Sequence, residues 1–142
     1  MANKLDEVMK MTRLKRVGTT YLPVSNLKKA TEWYTSNLEA EISYHDDEKT
    51  ILNFADQSFF LIPAAPDQSN SFIDAKGTEW FGLGFEVDGE ENLLTFHQDL
   101  LKQGVKAGDI ESRGHAGKNF RFWDEDGNAF DVWSEWKERG ET

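Results

Sequence analysis

The sequence has no cysteine, only three prolines and no long hydrophobic run. The absence of cysteine excludes disulfides, thiolate metal sites and a cysteine nucleophile. No segment approaches the roughly 20 apolar residues of a membrane span, and the first 18 residues, MANKLDEVMKMTRLKRVG, lack the apolar stretch of a secretory signal. We therefore expect a soluble cytoplasmic protein.

Basic residues are also scarce, with 16 against 26 acidic ones, which gives a formal net charge of -10. Such a surface repels phosphate backbones and anionic lipid headgroups, so neither nucleic acid nor membrane is an expected partner. The 142 residues are 38% hydrophobic and 13% aromatic, enough to bury the core of one structural domain.

The first half of the chain predicts a strand, a helix and three further strands. Residues 13–24 (RLKRVGTTYLPV) favour a strand, and Ser25 or Asn26 is a suitable N-cap for an amphipathic helix over 26–41. Three short segments rich in β-branched and aromatic residues follow, namely ISYH, KTILNFA and QSFFLIP.

The second half repeats this order after a polar linker. Residues 79–88 predict a strand and 90–104 a helix with Gly104 as its C-cap; three extended segments follow, VKAGDIES, KNFRFWD and AFDVWSE. The predicted organisation is an extension (1–12), a first module (13–63), a linker (64–79), a second module (80–136) and a tail (137–142).

One half aligns with the other without gaps at an offset of 63 residues. Leu22-Pro23-Val24 then falls on Phe85-Glu86-Val87, Trp33-Tyr34 on Phe96-His97, and Leu38 on Leu101. A gapless match across strand and helix indicates an internal duplication.

Three motifs give the chain a family resemblance over residues 13–136. They are LPVSNL with EWY and NL (22–38), GFEVD (84–88) and DEDGNAFDV (124–132). They resemble the signatures of the vicinal-oxygen-chelate superfamily, which contains glyoxalases, bleomycin-resistance proteins and extradiol dioxygenases. The resemblance implies an α+β fold of two βαβββ modules, with a curled mixed sheet around a cavity and the helices outside.

The last two segments predict a hairpin with two different faces. A turn over 124–128 sets Trp123 opposite Ala129, Arg121 opposite Asp131 and Asn119 opposite Trp133. The other face then carries only apolar residues, which suits a core: Phe120, Phe122, Phe130 and Val132.

The resemblance also implies where a metal would bind. The family's ligands sit on inward positions of four strands, which correspond here to Thr19, Leu61, Gly82 and Asp131. Glycine and leucine offer no donor atom, and threonine is a poor ligand for divalent first-row metals. We therefore expect no metal site and no cofactor.

Arg121 and Asp131 are the most specific pair of candidate residues on the other, polar side of this hairpin. They predict either a structural cross-strand ion pair or a guanidinium fork for a carboxylate or carbonyl ligand. The full set of predicted ligand-binding residues is Thr19, Tyr21, Asn119, Arg121 and Trp133.

The histidines differ in what they indicate. His45 is expected on the surface and His97 in helix packing. His115 lies in the glycine-flanked loop RGHAGK, where it could contact a ligand or be solvated in a mobile loop. With Asp131 and Glu86 it completes the predicted acid and base candidates.

Three functional readings follow. The first is a protein that binds a small organic molecule without a metal, for which the acidic surface would attract cationic compounds. The second is an enzyme, either a glyoxalase-like lyase or isomerase or a dioxygenase relative, that acts through a metal or an Asp, Glu or His acid-base. The third is a regulatory module with a filled cavity. The resemblance also makes a homodimer the expected assembly, with Trp80, Phe81, Trp133 and Trp136 near the subunit contact.

Overall fold

The first module contains the predicted strand, helix and three strands. The computed structural model describes residues 13–137, so the extension 1–12 and residues 138–142 of the tail lie outside it. The elements of this module are β1 (Thr19–Val24), α1 (Leu27–Asn37), β2 (Glu41–His45), β3 (Thr50–Phe54) and β4 (Gln57–Pro63).

A two-stranded hairpin connects the modules, and the second module repeats the order of the first. The hairpin is formed by β5 (Phe72–Ile73) and β6 (Glu79–Trp80). The second module comprises β7 (Leu83–Glu86), α2 (Glu90–Lys102), β8 (Lys106–Ala107), β9 (Asn119–Trp123) and β10 (Ala129–Trp133).

Both modules form four-stranded sheets with the same topology. The strand orders are β1-β4-β3-β2 and β7-β10-β9-β8. β1 runs parallel to β4, and β7 runs parallel to β10 in the same way. This confirms the predicted pair of βαβββ modules. Within residues 13–137 the two sheets remain separate and do not close into a barrel.

The helix ends follow local signals in the sequence. Asn26 is the N-cap of α1, because its side-chain oxygen accepts from the Lys29 amide at 3.0 Å. The helix ends before its predicted limit, since Glu39 adopts a left-handed backbone with φ of 56°. Gly104 follows α2 with φ of 80°, a value that glycine accepts readily. No helix in the described part of the chain is long and apolar enough to cross a membrane.

Several predicted boundaries are wrong. The first strand starts at Thr19 and not at residue 13, and VKAGDIES forms only the two-residue strand β8. The predicted strand 79–88 is broken at residues 81–82, and its first part pairs with the linker. Asp74 shapes that pairing, because its carboxylate accepts from the amides of Lys76 and Thr78 and from the Trp80 indole.

One hydrophobic core serves both modules. Phe85 of β7 lies with its ring centroid 6.1 Å from that of Phe59 and 5.8 Å from that of Phe54, and Phe130 lies 6.4 Å from Tyr34. Both helices contribute to the same cluster through residues such as Ala30, Leu93 and Leu100. Within a chain, the modules are therefore joined by apolar packing and not by strand pairing.

A buried polar cluster joins the modules at the turn after β9. The Tyr34 hydroxyl donates to Asp124 Oδ2 at 2.6 Å, and Asn128 Nδ2 donates to the Pro23 carbonyl at 2.9 Å. The amide of Ser25 donates to Asp126 Oδ1 at 2.9 Å. Burial raises the pKa of the Asp124 carboxyl, and the bond from Tyr34 opposes that rise.

We predict that Tyr34→Phe lowers the free energy of unfolding by about 1–3 kcal/mol at pH 7, because a buried carboxylate loses a donor. The raised folded-state pKa of Asp124 means that its ionised form weakens the fold as pH rises, and the Tyr34 hydroxyl offsets this effect. The loss should therefore shrink toward about pH 4, where more of the carboxyl is protonated. Urea unfolding at both pH values measures the difference.

Tyr44→Phe is the matched control, because Tyr44 also donates to an aspartate, Asp46, at 2.7 Å, but on the exposed surface. It should have little effect on stability. Equal losses in the two variants would contradict the role given to the buried bond.

Candidate functional site

The hairpin of β9 and β10 has the two faces that its turn predicts. Arg121 is the Cα partner of Asp131, and Gly84 of β7 pairs with Asp131 from the other side. The predicted register is thus confirmed. The apolar face is fully buried and consists of Phe120, Phe122, Phe130 and Val132. The opposite face is called the polar face below.

Asp131 is the best-buried charged group on the polar face, with 6% of its surface exposed. Arg113 Nη1 lies 2.9 Å from its Oδ1 in an ion pair, and Asn119 Nδ2 donates to its Oδ2 at 2.7 Å. Arg113 Nε also donates to Glu111 Oε2 at 2.7 Å. Burial opposes the charge on Arg113, but Glu111 and Asp131 outweigh it and raise its pKa.

Of the two predicted roles of Arg121 and Asp131, the cross-strand ion pair is wrong. Arg121 Nη1 instead donates to the carbonyl of Glu79 at 3.0 Å, and its guanidinium lies 5.1 Å from the ring of Phe81 and 5.9 Å from that of Trp80. These contacts come from residues 70–82, which we call the strap. Arg121 turns away from Asp131 because the strap offers it a carbonyl and two aromatic rings.

The strap is fixed at Asn70. Its amide donates to Asn128 Oδ1 at 2.8 Å, and its side chain exchanges two hydrogen bonds with the backbone of Ala129, at 2.6 and 3.1 Å. This brings the Asn70 carbonyl so close to Gly82 that a Cβ there would overlap it. Gly82 is therefore required for this approach.

The buried side-chain atoms that lack a hydrogen-bond partner are concentrated on the polar face. In the described part of the chain, five buried side-chain atoms have no hydrogen-bond partner, and four of them belong to Asp131 and its neighbours. They are Asp131 Oδ1, Asn119 Oδ1, Arg113 Nη2 and Arg121 Nε. Asp131 Oδ1 nevertheless has an ionic partner, because Arg113 Nη1 lies 2.9 Å from it. Buried polar groups normally find partners in protein or ordered water, and the other three atoms have none among the described residues.

A cleft of about 1400 Å³ lies beside β7, and its lining includes Gly84, the strand partner of Asp131, but none of the four residues that carry these atoms. Gly84, Glu86 and Trp133 line it together with residues of the first module, including Phe59 and Gln57. A Cβ at Gly84 would meet no atom within 4 Å, so the space beside Asp131 is open. A smaller cleft of about 530 Å³ at the β3–β4 turn contains none of the predicted site residues.

The structure brings together only some of the predicted residues. Asn119, Arg121, Asp131 and Trp133 share the polar face, and Glu86 pairs with Trp133 at the cleft. Thr19 and Tyr21 lie on the sheet of the other module, where the Tyr21 ring packs 5.3 Å from Phe60 and is 65% exposed.

Each histidine has a definite environment. His115 is exposed, packs edge-on against Trp133 at 5.7 Å, and its Nδ1 lies 2.9 Å from the Ala116 carbonyl. It therefore sits at the edge of the cleft. His97 packs 4.8 Å from Phe120 with Nε2 2.8 Å from the Gly108 carbonyl, and His45 is exposed; both agree with the predictions.

Comparison with known families gives this fold and site a context. A sequence model of the Glyoxalase/Bleomycin resistance protein/Dioxygenase superfamily matches residues 13–132. The chain belongs to this superfamily. The match confirms the resemblance seen in the three sequence motifs. The comparison with curated proteins finds no match.

Solved structures of the superfamily share the fold at low identity. Lactoylglutathione lyase from Agrobacterium tumefaciens has a TM-score of 0.68 and 15% identity, covering 86% of this chain and 95% of that one. The fosfomycin resistance protein FosX from Listeria monocytogenes has a TM-score of 0.70 and 17% identity, covering 87% and 95%. FosX has also been solved with Mn(II) and sulfate.

The residues at the superfamily's metal positions do not fit a metal in this chain. Gly82 is covered by the Asn70 carbonyl, and Leu61 is fully buried in the core. The expectation that Leu61 faces the cavity is wrong, because alternation along β4 puts Phe60 on that face instead. Within residues 13–137, no three His, Cys, Asp or Glu side chains come together as a metal-binding group.

Sequence reasoning missed Arg113 and the strap. Arg113 is the first residue of the loop RGHAGK, for which the sequence prediction named only His115. Its signal was the acidic residue Asp131 in β10, the second strand after the loop, since an isolated buried carboxylate requires a cation. The strap left no such signal, because its contacts with Asn128 and Ala129 are 58 and 59 residues distant in sequence.

Two glycine substitutions test the geometry of the polar face. Gly82→Ala should lower the free energy of unfolding by about 1–3 kcal/mol, because the new methyl group overlaps a fixed carbonyl. Gly84→Ala should change it by less than about 0.5 kcal/mol, since the methyl group enters open space. Urea unfolding of both variants provides the measurement. Equal losses, or a larger loss at Gly84, would contradict the described position of the strap.

Proposed function

We propose that this superfamily member binds a small organic molecule on the polar face of the second module without a metal. The observation that carries the proposal is the open space at Gly84, the strand partner of Asp131, in a cleft that Glu86 and Trp133 also line. A concave site with an apolar wall and a few polar groups is typical of small-molecule binding. Trp133 supplies the flat apolar wall.

Binding is favoured over catalysis by the state of Asp131. Its carboxylate is held by Arg113 and Asn119, so it would have to leave an ion pair to accept a proton. Glu86 and His115 remain as possible acid and base groups at the cleft, and they support the alternative of a glyoxalase-like or dioxygenase-related enzyme. Assay with methylglyoxal and glutathione tests that alternative directly.

A homodimer remains the expected assembly. The sheet of the first module leaves several large apolar side chains uncovered on its outer face and edge, among them Tyr21, Ile42 and Tyr44. Exposed apolar patches of this kind favour a protein partner, here a second copy of the chain. The cytoplasm remains the expected compartment.

We predict that protein purified without affinity tag or chelator contains no stoichiometric metal, also after dialysis against Mn, Fe, Ni and Zn. The reason is the lack of donors at Gly82 and at Phe60, which faces the cavity on β4 in place of Leu61. Elemental analysis measures the metal content, and titration with small organic compounds, followed through tryptophan fluorescence, measures ligand binding. Loss of the fluorescence quenching in Trp133→Phe would show that the compound binds in the cleft that Trp133 lines.

Asp131→Asn should leave the metal content unchanged, and Asp47→Asn is its control on the exposed surface. One bound metal per chain that disappears with Asp131→Asn but not with Asp47→Asn would refute the proposal and favour the enzyme.

A further inference from the structure

The lining of the large cleft beside β7 carries an excess of negative charge. Three acidic residues line it, Asp56, Glu86 and Glu135, together with one basic residue, Lys137. None of these four residues takes part in an ion pair within residues 13–137. Uncompensated carboxylates attract cations and repel anions, so the cleft favours a positively charged ligand.

Glu86 and Trp133 lie side by side in this cleft. They are Cα partners in the parallel pairing of β7 with β10, so both side chains leave the sheet on the same side. Neighbouring strands lie about 4.8 Å apart, and a cation is attracted by an indole face within about 6 Å of the ring centroid. A cation next to the Glu86 carboxylate is therefore also within reach of the Trp133 ring.

The indole of Trp133 is held in a fixed orientation. Its Nε1 donates to the Ala116 carbonyl at 2.9 Å, and His115 packs edge-on against it with the ring centroids 5.7 Å apart. Gly84, two residues before Glu86, leaves open space on the same face of the sheet. A ligand head group can therefore enter this space without moving the indole.

The tryptophans of the cleft differ from Trp123 in the cations that they contact. The Lys106 ammonium group lies 4.7 Å from the ring centroid of Trp123. Trp133 and Trp136 both line the cleft, and no lysine or arginine of the described chain lies over either ring. Exposed carboxylates are common on an acidic surface, so the position of Glu86 beside a ring without a cation is what points to a cationic ligand.

We infer that the cleft binds a small organic cation whose ammonium group lies in the space at Gly84, between the Glu86 carboxylate and the face of Trp133. The ammonium group donates to Glu86 and is attracted by the indole. The apolar body of the ligand lies along the rest of the cleft, whose lining includes Leu83 and Trp136. This inference rests on the proposed function and specifies its ligand class.

Three probes with the same apolar body and different head groups make the test. Phenylbutylammonium, phenylbutanol and phenylbutyrate are titrated into the full-length protein at about pH 7 and about 0.15 M salt, which screens charges more than roughly 8 Å apart. Calorimetry gives the dissociation constants. Phenylbutylammonium should bind at least roughly fivefold more tightly than phenylbutanol and at least roughly tenfold more tightly than phenylbutyrate.

Two substitutions assign this preference to Glu86 and Trp133. Glu86→Gln removes the charge and should lower the ratio of ammonium to alcohol affinity at least roughly threefold. Trp133→Leu removes the aromatic face and should lower the same ratio at least roughly threefold, whereas loss of an apolar wall alone would weaken both probes equally. Unfolding in urea checks that each variant is folded, and the Glu86→Gln ratio decides if Trp133→Leu is not.

Asp47→Asn is the matched control for Glu86→Gln. Asp47 is exposed and lies outside the cleft, and its substitution changes the net charge of the protein by the same amount. The affinity ratio should change by less than roughly 1.5-fold, because salt screens a distant charge. If both substitutions lower the ratio equally, the preference reflects the acidic surface as a whole, and the inference is wrong.

The remaining outcomes separate this inference from the broader proposal. If phenylbutanol or phenylbutyrate binds as tightly as phenylbutylammonium, the cation assignment is overturned and metal-free binding stays intact. Failure of all three probes, while other organic compounds quench the fluorescence of Trp133, has the same meaning. If no organic compound of any class binds, both proposals fail.

Discussion

The arrangement of this protein depends on the fully buried side chain of Asn128. Its amide nitrogen donates to the Pro23 carbonyl of the first module and to Asp124 in its own turn, and its oxygen accepts from Asn70 of the strap. Three distant parts of the chain thus meet at one amide. Aspartate has no donor for Pro23, and leucine would remove the partners of both the Pro23 carbonyl and the Asn70 amide, so few residues could replace it.

The site is a consequence of this anchoring. Asn128 and Ala129 fix Asn70, and Asn70 sets the path of the strap toward Glu79. The strap then draws Arg121 away from its cross-strand partner, and the loop before β9 supplies Arg113 to Asp131 in its place. The two residues that lie opposite each other on β9 and β10 therefore have different partners, Asp131 in Arg113 and Asn119 and Arg121 in the Glu79 carbonyl. The unpaired groups follow from long-range contacts and not from the sheet alone.

The sequence predicted what local rules control. The turn at 124–128 fixed the register of the last hairpin, and Asn26 capped its helix, because both depend on neighbours only a few residues away. The offset of 63 residues predicted two equal modules, and the sheet orders agree with it. Superfamily membership followed from motifs at the strand-to-helix junctions and the terminal hairpin.

The errors have equally definite causes. A shift of one residue along a strand exchanges its two faces. The sequence alone does not determine whether Phe60 or Leu61 of β4 faces the cavity, and the prediction chose the wrong one. Arg121 lies opposite Asp131 on the sheet, but adjacency of two Cα atoms does not ensure contact between their side chains. The strap and the contribution of Arg113 depend on hydrogen bonds across long stretches of chain, for which hydrophobic periodicity carries no information.

The duplicated halves differ at one position of their first strands, β1 and β7. At the offset of 63 residues, Gly84 is the counterpart of Tyr21, and each pairs with the last strand of its own module. The first module therefore has the phenol ring of Tyr21 at this position, where the second module has only the hydrogen atom of Gly84. The duplicated modules therefore present different surfaces at equivalent positions while keeping the same strand order, because only the second leaves open space beside its last strand.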